Sequence, residues 1–211
     1  EATVVRNIDK VINNTQTVVE EYNEAGKLKK TTNCSSFISG FNTAAASSYA
    51  EAIVILGSDY ESDSEITLGK NKSVMIDLNG HYIKRNRQYE TKKNGGVMSV
   101  EEGATLTIKD SNPKKLGYDG VRGGVITGGA SSNYGGGITV KEGGHLVMKG
   151  GTIYDCISDE DGGGVYIETG SKDTSFTMTG GRIYNCRTVD STDECFGGGI
   201  FFGDGKLTLK G

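Results

Sequence analysis

One short phrase occurs three times in the second half of the chain, and this self-repeat constrains the fold more than any other sequence feature. Three glycines and three strand-forming residues read GGGITV at 135–140, GGGVYI at 162–167 and GGGIFF at 197–202. After the first two copies come a second apolar run that ends in Gly-Gly and a third phrase, TIYDC at 152–156 and RIYNC at 182–186. Repetition of short units along a chain is the sequence signature of a stacked repeat protein.

Weaker copies of the repeat extend back to residue 53 when segments are aligned on the alternation of apolar and polar residues. The predicted first strands are 66–68, 98–100, 138–140, 165–167 and 200–202. The predicted second strands are 76–78, 106–108, 146–148, 176–178 and 207–209, and the third strands centre on Ile83, Ile126, Ile153 and Ile183. In most strands the outer two residues are apolar and the middle one is polar, which indicates one buried face.

Strands of constant length between turns of variable length predict an all-β fold, a right-handed parallel β-helix with three strands per coil and four to five coils. Equivalent strands would stack at roughly 4.8 Å, so that Ile138 lies on Met98 and beneath Val165. We predict that the glycine triplets form tight corners where neighbouring coils come close. They are not phosphate-binding loops, because such loops lead into a helix.

Residues 1–51 do not repeat, and they predict a small α+β capping segment ahead of a β-helix at 52–211 that is truncated at its C-terminal end. The capping segment comprises a helix over 4–12, a hairpin of strands 17–22 and 27–32, and a helix over 41–51 with Thr43 as its cap. Each buried aliphatic side chain contributes about 1.5–3 kcal/mol, so an exposed terminal coil is costly. We therefore expect the hairpin and second helix to cover the first coil. Further coils, or a second copy meeting end to end, would cover the last.

Composition and charge exclude several classes of function. The net charge is -4 with a sequence pI near 5.3, and Lys and Arg are scattered, so nucleic-acid binding is not expected. No segment approaches the roughly 20 apolar residues of a membrane span, so membrane insertion is not expected. The four cysteines are too few for a disulfide scaffold and lack the spacing of a zinc finger.

Three phrases resemble a known family. DLNGH at 77–81, GATLTIKDS at 103–111, and the triplet strands followed by GG(T/R)IY resemble repeat-rich surface proteins of Gram-positive, often gut-dwelling, bacteria. Those proteins are similar to the pectate-lyase-like right-handed β-helix superfamily, and the resemblance covers residues 52–211. It implies a secreted, wall- or surface-attached protein with an adhesin-like role. Where the family commonly has asparagine this chain has Cys156 and Cys186, and Tyr154 and Tyr184 replace small polar residues, which argues against an asparagine ladder.

The residues do not favour a catalytic site on the strands. Polysaccharide lyases and glycoside hydrolases need several converging carboxylates. The outward positions of the first strands are Thr67, Ser99, Thr139, Tyr166 and Phe201, and the second-strand row offers only Asp77. The two histidines, His81 and His145, have no acidic partner at a recognisable spacing. Loops or missing coils could still carry catalysis, so a carbohydrate-active enzyme, a polysaccharide lyase or glycoside hydrolase, stays open as the alternative.

Outward aromatic residues give the clearest binding signal. Tyr166 and Phe201 should stack on one face, and Tyr154 and Tyr184 on another, which would suit sugar rings or a protein partner. The alternative is that these rings pack against one another across strands and bind nothing.

Two further groups of residues are candidate sites. Asp159, Asp161, Asp190 and Asp193 precede the later glycine triplets and could bind Ca²⁺ weakly, the alternative being solvated acidic turns. Cys156 and Cys186 occupy equivalent positions one repeat apart and could form a disulfide, with Cys195 as a competing partner for Cys186. Buried free thiols are the alternative.

Together these features favour a non-catalytic, extracellular bacterial adhesin or a ligand-binding or stalk module. Its partner would be a host or dietary glycan, or a host surface protein. A pure spacer, which would bind no ligand, is the structural alternative.

Overall fold

The computed structural model describes residues 16–86, 95–189 and 195–210, and within them it contains nineteen strands and one α-helix. The helix predicted over 4–12 lies outside these residues. In chain order the strands are β1 (Thr17–Tyr22), β2 (Leu28–Cys34), β3 (Glu51–Ile55), β4 (Tyr60–Ser62), β5 (Ile66–Leu68), β6 (Ser73–Asp77), β7 (Tyr82–Arg85), β8 (Met98–Val100), β9 (Thr105–Lys109), β10 (Val125–Thr127), β11 (Ala130–Ser131), β12 (Ile138–Val140), β13 (His145–Tyr154), β14 (Ile157–Ser158), β15 (Val165–Ile167), β16 (Ser175–Tyr184), β17 (Arg187–Thr188), β18 (Ile200–Phe202) and β19 (Lys206–Leu209).

The predicted hairpin is confirmed. Strands β1 and β2 pair antiparallel, with Thr17 opposite Cys34, and the other edge of β1 pairs antiparallel with β3. In the turn Gly26 has a φ of 69°, a left-handed conformation that glycine adopts without strain. The Asn23 side chain accepts a hydrogen bond from the Lys27 N–H at 2.9 Å, which closes the turn.

The predicted helix over 41–51 has the wrong bounds, because the observed helix α1 spans Phe37–Ala45. Ser36 caps it by accepting a hydrogen bond from the Ser39 N–H at 3.3 Å. Thr43 is not a cap, since its hydroxyl donates to the Ser39 carbonyl one turn earlier. Phe37, Phe41 and Ala44 form the buried face at helical spacing, whereas the later alanines precede or enter β3.

All five predicted first strands are confirmed and form one parallel sheet in the order β18-β15-β12-β8-β5. The register also agrees with the prediction, because Ile138 pairs with Met98 on one side and Val165 on the other. A second, three-stranded parallel sheet of two-residue strands, β11-β14-β17, was not expected from the sequence.

The remaining strands form an eleven-stranded sheet that runs β2-β1-β3-β6-β9-β13-β10-β7-β4, with β16 beside β13 and β19 beside β16. Strand β13 is ten residues long and contains both a predicted second strand and a predicted third strand. Its first part pairs with β9 and its last part with β10. Strand β16 repeats this arrangement and pairs with β13 along its length.

The prediction of a right-handed parallel β-helix with three strands per coil is therefore wrong. The protein is mostly β, with one mixed sheet of eleven strands, parallel sheets of five and three strands, and one helix. The sequence predicts that the Gly-Gly pairs at 150–151 and 180–181 end a strand. Instead, pairing continues through them with a shift of register, so that second and third strands merge.

One hydrophobic core runs through the described residues. It includes Phe37 and Phe41 of α1, Leu106, Leu146 and Phe176, which are all fully or almost fully buried. The helix packs against β1, β3 and β6, so that it and the hairpin share this core with the repeats. The division of the chain after residue 51 stays a prediction.

The glycine triplets form close corners, as predicted. Gly135, Gly162 and Gly197 each have a φ of 67°. A Cβ added at Gly136 would lie 2.1 Å from the Ile157 carbonyl oxygen, and one at Gly163 would lie 2.3 Å from that of Arg187. Only glycine fits where these backbones meet.

The structure also bears on membrane spans. In the part of the chain that it describes, no helix has the length and apolar character needed to cross a membrane.

Candidate functional site

A cleft on the outer face of the five-stranded sheet is the strongest candidate site. Its volume is about 210 Å³. Its lining residues are Glu65, Gly95, Ser99, Ser131, Asn133, Tyr134, Thr139 and Lys141. Ser99 and Thr139 are the middle residues of β8 and β12, whose flanking residues are buried in the core. Strand alternation therefore directs their hydroxyl groups outward into the cleft.

Glu65 provides the carboxyl group of the cleft, immediately before β5. Burial raises the pKa of Glu65 above its usual value, while the nearby Arg85 guanidinium, the Gly96 backbone, the Ser99 hydroxyl and the Lys141 ammonium act in the opposite direction. Arg85 is held in place by hydrogen bonds to the carbonyl oxygens of Gly95 and Gly96. The cleft thus combines a carboxyl, two hydroxyls and an ammonium group, all of which can bind the hydroxyls of a ligand.

Three aromatic rings are stacked beside this cleft. The Tyr166 and Phe201 rings are parallel within 10° at a centroid separation of 5.1 Å, which confirms that they stack. Tyr134 stacks on the other face of Tyr166 at 4.5 Å. Tyr166 is only 7% exposed, because both of its faces are covered, whereas Tyr134 is 40% exposed. The ring that a ligand can reach is therefore Tyr134.

Sequence reasoning missed Tyr134, although a signal was present. Tyr134 directly precedes one glycine triplet, and Phe196 precedes another in the same position. The Thr139 hydroxyl donates a hydrogen bond to the Tyr134 carbonyl at 3.5 Å. The Tyr134 hydroxyl donates to Glu160, which together with burial raises the pKa of Tyr134 to about 12. The bond to Glu160 and the stack on Tyr166 hold the ring in one orientation.

The second predicted aromatic pair is engaged within the chain. The Tyr154 and Tyr184 rings lie 4.9 Å apart and are tilted by 48°. The Tyr154 hydroxyl donates to Asp119 at 2.9 Å, and this bond raises the pKa of Tyr154 to about 12. Arg182 lies over the Tyr184 ring at 5.7 Å. Tyr184 is 40% exposed, so it offers an aromatic surface but lacks the cleft that adjoins Tyr134.

Asp77, the outward carboxylate of the second strands, has a structural role. It is buried, and its Oδ1 accepts hydrogen bonds from the N–H groups of Asn79 at 3.0 Å and Ser111 at 2.9 Å. Its Oδ2 lies 3.0 Å from the Lys109 ammonium. Because both oxygens are engaged by the chain itself, Asp77 is poorly placed to bind a ligand.

His81 has an acidic partner that sequence spacing does not show, because its Nδ1 lies 2.9 Å from Asp59 Oδ1. Its Nε2 lies 2.9 Å from the Lys115 ammonium nitrogen. These three residues are distant in sequence, so spacing could not show the contact. His145 contacts the Ser175 hydroxyl at 2.9 Å.

The acidic loops carry no metal site among the described residues. Asp190 and Asp193 lie outside those residues, so the predicted set of four aspartates cannot be assembled. Asp161 Oδ1 accepts a hydrogen bond from the Phe196 N–H at 2.7 Å. Within 16–86, 95–189 and 195–210, no group of three or more His, Cys, Asp or Glu side chains is arranged to hold a metal ion. Calcium binding stays a prediction.

The structure brings Cys156 and Cys186 together as thiols, on neighbouring corners. The disulfide between them stays a prediction.

A larger groove of about 810 Å³ follows the turns after the first strands. Ion pairs between neighbouring turns line it, including Lys70 with Glu102 at 2.8 Å and Lys141 with Glu168 at 3.7 Å. The opposite charges within each exposed pair neutralise each other. The described lining residues of the groove include no Phe, Tyr or Trp.

Comparison with known proteins leaves the family open. No protein-family model matches the chain, and neither the curated proteins nor the solved structures contain a match.

Proposed function

We propose that this protein is a non-catalytic, carbohydrate-binding module of a bacterial cell-surface protein and that the cleft beside Tyr134 holds a sugar ring. The observation that carries the proposal is the meeting of an exposed aromatic ring with hydroxyl, carboxyl and ammonium groups in one cleft. Sugars present apolar C–H faces and polar hydroxyl edges, so they bind to this combination of groups.

The aromatic stack suits Tyr134 to this role. Tyr166 and Phe201 support its inner face, and the bond to Glu160 holds its hydroxyl. A ring that is already held loses little conformational freedom when a ligand binds, so more of the contact energy appears as affinity.

The polar groups would determine which sugar binds and in what orientation. Ser99 and Thr139 can accept hydrogen bonds from sugar hydroxyls, because their own protons are directed to Thr67 and Tyr134. Lys141, which also pairs with Glu168, can donate to a sugar hydroxyl. The cleft is smaller than the roughly 300–1,000 Å³ of pockets for drug-sized ligands. It therefore suits one sugar unit of a longer glycan that continues across the surface.

A carbohydrate-active enzyme is the second candidate, and the raised pKa of Glu65 favours it. A carboxyl group with a raised pKa is what a general acid requires. Glycoside hydrolysis, however, needs a second carboxylate within roughly 5–9.5 Å. Among the described lining residues of the cleft, Glu65 is the one carboxylate. We therefore favour binding without catalysis.

The two candidates separate in one assay. The protein is incubated with neutral and acidic polysaccharides, and new chain ends are measured alongside binding. Binding without new ends supports the module, whereas new ends that disappear in Glu65→Gln support the enzyme.

The decisive variant is Tyr134→Ala, and Tyr184→Ala is its matched control. Both tyrosines are 40% exposed and both contact a second aromatic ring, but Tyr134 lies in the connection before β12, whereas Tyr184 ends β16. In a glycan and mucin binding screen, we expect Tyr134→Ala to lose about tenfold in affinity, equivalent to about 1.4 kcal/mol. Tyr184→Ala should bind as the parent does. Equal binding by both variants, or no glycan bound by the parent, would overturn the proposal, and the second outcome would favour a spacer.

The cell-surface location is part of the proposal and is supported by the resemblance of the phrases at 77–81 and 103–111 to bacterial surface proteins. Brief protease treatment of intact source cells tests it. A surface protein is cleaved under these conditions while cytoplasmic markers stay intact.

A further inference from the structure

Cys156 and Cys186 lie on equivalent corners of two adjacent strands. Tyr154 pairs with Tyr184 before the corners, and Ile157 pairs with Arg187 after them, all in parallel register. The two residues at the corners, Asp155 and Asn185, adopt the same left-handed conformation, with φ of 49° and 55°. The two cysteines therefore project in the same direction from strands about 4.8 Å apart. This spacing lies within the roughly 4.4–6.8 Å that a disulfide tolerates between Cα atoms.

The surrounding hydrogen bonds keep the corners together. The Arg187 N–H donates to the Cys156 carbonyl at 3.1 Å. The Asn185 side chain donates to Asp155 Oδ1 at 3.3 Å. The corners are thus held next to each other at the spacing of paired strands, which a disulfide tolerates.

The two thiols differ in environment. Cys156 is fully buried, whereas Cys186 is partly exposed. The Cys156 thiol donates a hydrogen bond to the Tyr154 carbonyl at 3.4 Å. The neighbouring Cys156 side chain lowers the pKa of Cys186, with the Cys156 backbone and the Arg187 guanidinium acting in the same direction and burial acting against it. The contact with the Cys186 side chain and burial raise the pKa of Cys156. Cys186 is therefore the thiol that ionises first and that a reagent can reach.

We infer that Cys156 and Cys186 form a reversible modification site that reacts with low-molecular-weight disulfides, in which Cys186 attacks and Cys156 resolves. The Cys186 thiolate attacks one sulfur of the small disulfide and expels the other half as a thiolate, which leaves a mixed disulfide on Cys186. The Cys156 thiol then loses its proton and attacks the Cys186 sulfur, expelling the second half. The two protein thiols are oxidised to one disulfide, and the reagent is reduced to two thiols.

Neither cysteine lines the cleft beside Tyr134. The product would be a covalent link between neighbouring corners of the strand stack, and a thiol reductant would reverse it. Oxidising surroundings would thus stabilise this part of the fold through the disulfide, and reducing surroundings would remove that stabilisation.

The experiment uses glutathione disulfide and mass spectrometry of the folded chain. The parent should lose the mass of two hydrogen atoms, and peptide mapping should show a bond between Cys156 and Cys186. Cys156→Ser should instead gain one glutathione on Cys186. Cys186→Ser should react at Cys156 roughly tenfold more slowly than Cys156→Ser reacts at Cys186, because thiolate fraction and access control the rate.

Cys34 and Cys195 are replaced by serine in a second set of variants, so that the reaction of the pair is seen alone. Peptide mapping of the parent requires no variant to fold, and it keeps the inference testable. A Cys186–Cys195 bond, no bond at all, or equal rates for the two single variants would overturn it.

Discussion

Asp77 and Glu65 both lie close to strand ends, but their carboxyl groups have different surroundings. Asp77 is buried, but backbone N–H groups and Lys109 satisfy both of its oxygens. Glu65 is also largely withdrawn from water, and in its case burial outweighs the favourable contacts, so that the pKa is raised. The first residue stabilises a turn, whereas the second lines the cleft beside Tyr134.

The raised pKa of Glu65 makes stability depend on pH. Below the usual value of 4.5 the carboxyl is protonated in both folded and unfolded chains. As the pH rises through that value, the unfolded chain ionises first, so the folded state loses stability until the pH exceeds the raised folded pKa. Glu65→Gln removes this loss. We expect its melting temperature, relative to the parent, to increase between about pH 4 and pH 7.

Glu102→Gln provides the control of opposite sign. The Lys70 hydrogen bond lowers the pKa of Glu102, so the parent gains stability as the pH rises and this variant does not. A relative melting temperature of Glu65→Gln that is independent of pH, or that falls as the pH rises, would contradict the assignment.

The sequence predicts contacts between residues that share a strand register. It does not predict which loop residues come together. The Tyr166–Phe201 stack and the Cys156–Cys186 pair follow from counting along the repeat. Tyr134 and Glu65 belong to the connections before strands, where lengths vary. Their side chains meet only when tertiary structure places them around one cleft, and no periodic pattern records that placement.

The glycine corners determine where strands of different sheets can approach one another. Gly136 has an ordinary φ, so its requirement for glycine is purely steric. A Cβ there would meet the Ile157 carbonyl oxygen at 2.1 Å and that of Gly163 at 2.5 Å. Both contacts are with backbone, which cannot move without disturbing adjacent strands.

We therefore expect Gly136→Ala to destabilise the protein by about 1–3 kcal/mol, the usual cost of overpacking. Gly69→Ala is the matched control, because nothing lies within 4 Å of its added Cβ. Its free energy of unfolding should be unchanged or higher by up to about 1 kcal/mol, through reduced freedom of the unfolded chain. Urea denaturation measures both, and similar values for the two variants would show that the corner can relax.

The five strands of the parallel sheet were predictable from the sequence, whereas the two-residue strands β11, β14 and β17 and the extents of β13 and β16 were not. Apolar-polar alternation identifies the five strands of the parallel sheet, because each buries one face. Alternation alone cannot show that β13 and β16 continue through their Gly-Gly pairs, since a bulged strand and two strands separated by a turn have the same pattern. The predicted architecture is wrong because these four glycines do not end their strands.

The two ends of the stack of paired strands, from β3 to β19, differ in how far other elements cover them. The hairpin and α1 pack against β3 and β6 at one end, where Phe41 and Val54 are almost fully buried. At the other end β18 and β19 each pair with one strand among the described residues. Leu209 there is 55% exposed, and Leu207 is 37% exposed although it occupies the same register column as the buried Leu146.

This asymmetry predicts a gradient of local stability. Opening an edge strand exposes little new apolar surface, whereas opening a central strand exposes the core. In hydrogen exchange followed by mass spectrometry, the peptide containing Leu207 should exchange on the order of a hundredfold faster than the one containing Leu146, a difference of about 2.7 kcal/mol in opening free energy. Equal rates would show that the stack opens as one cooperative unit.

The same measurement tests the end-to-end association that the sequence predicts, which stays a prediction. If two copies meet through this edge, β18 and β19 gain neighbours, so exchange around Leu207 should slow as the protein concentration rises. Exchange around Leu146 should not change, because its strand already lies between β9 and β16. Lys206 and Lys210 flank the exposed leucines, and like charges at a strand edge oppose pairing of identical edges. Exchange around Leu207 that is independent of concentration would mean that this repulsion prevails and that the edge remains open in solution.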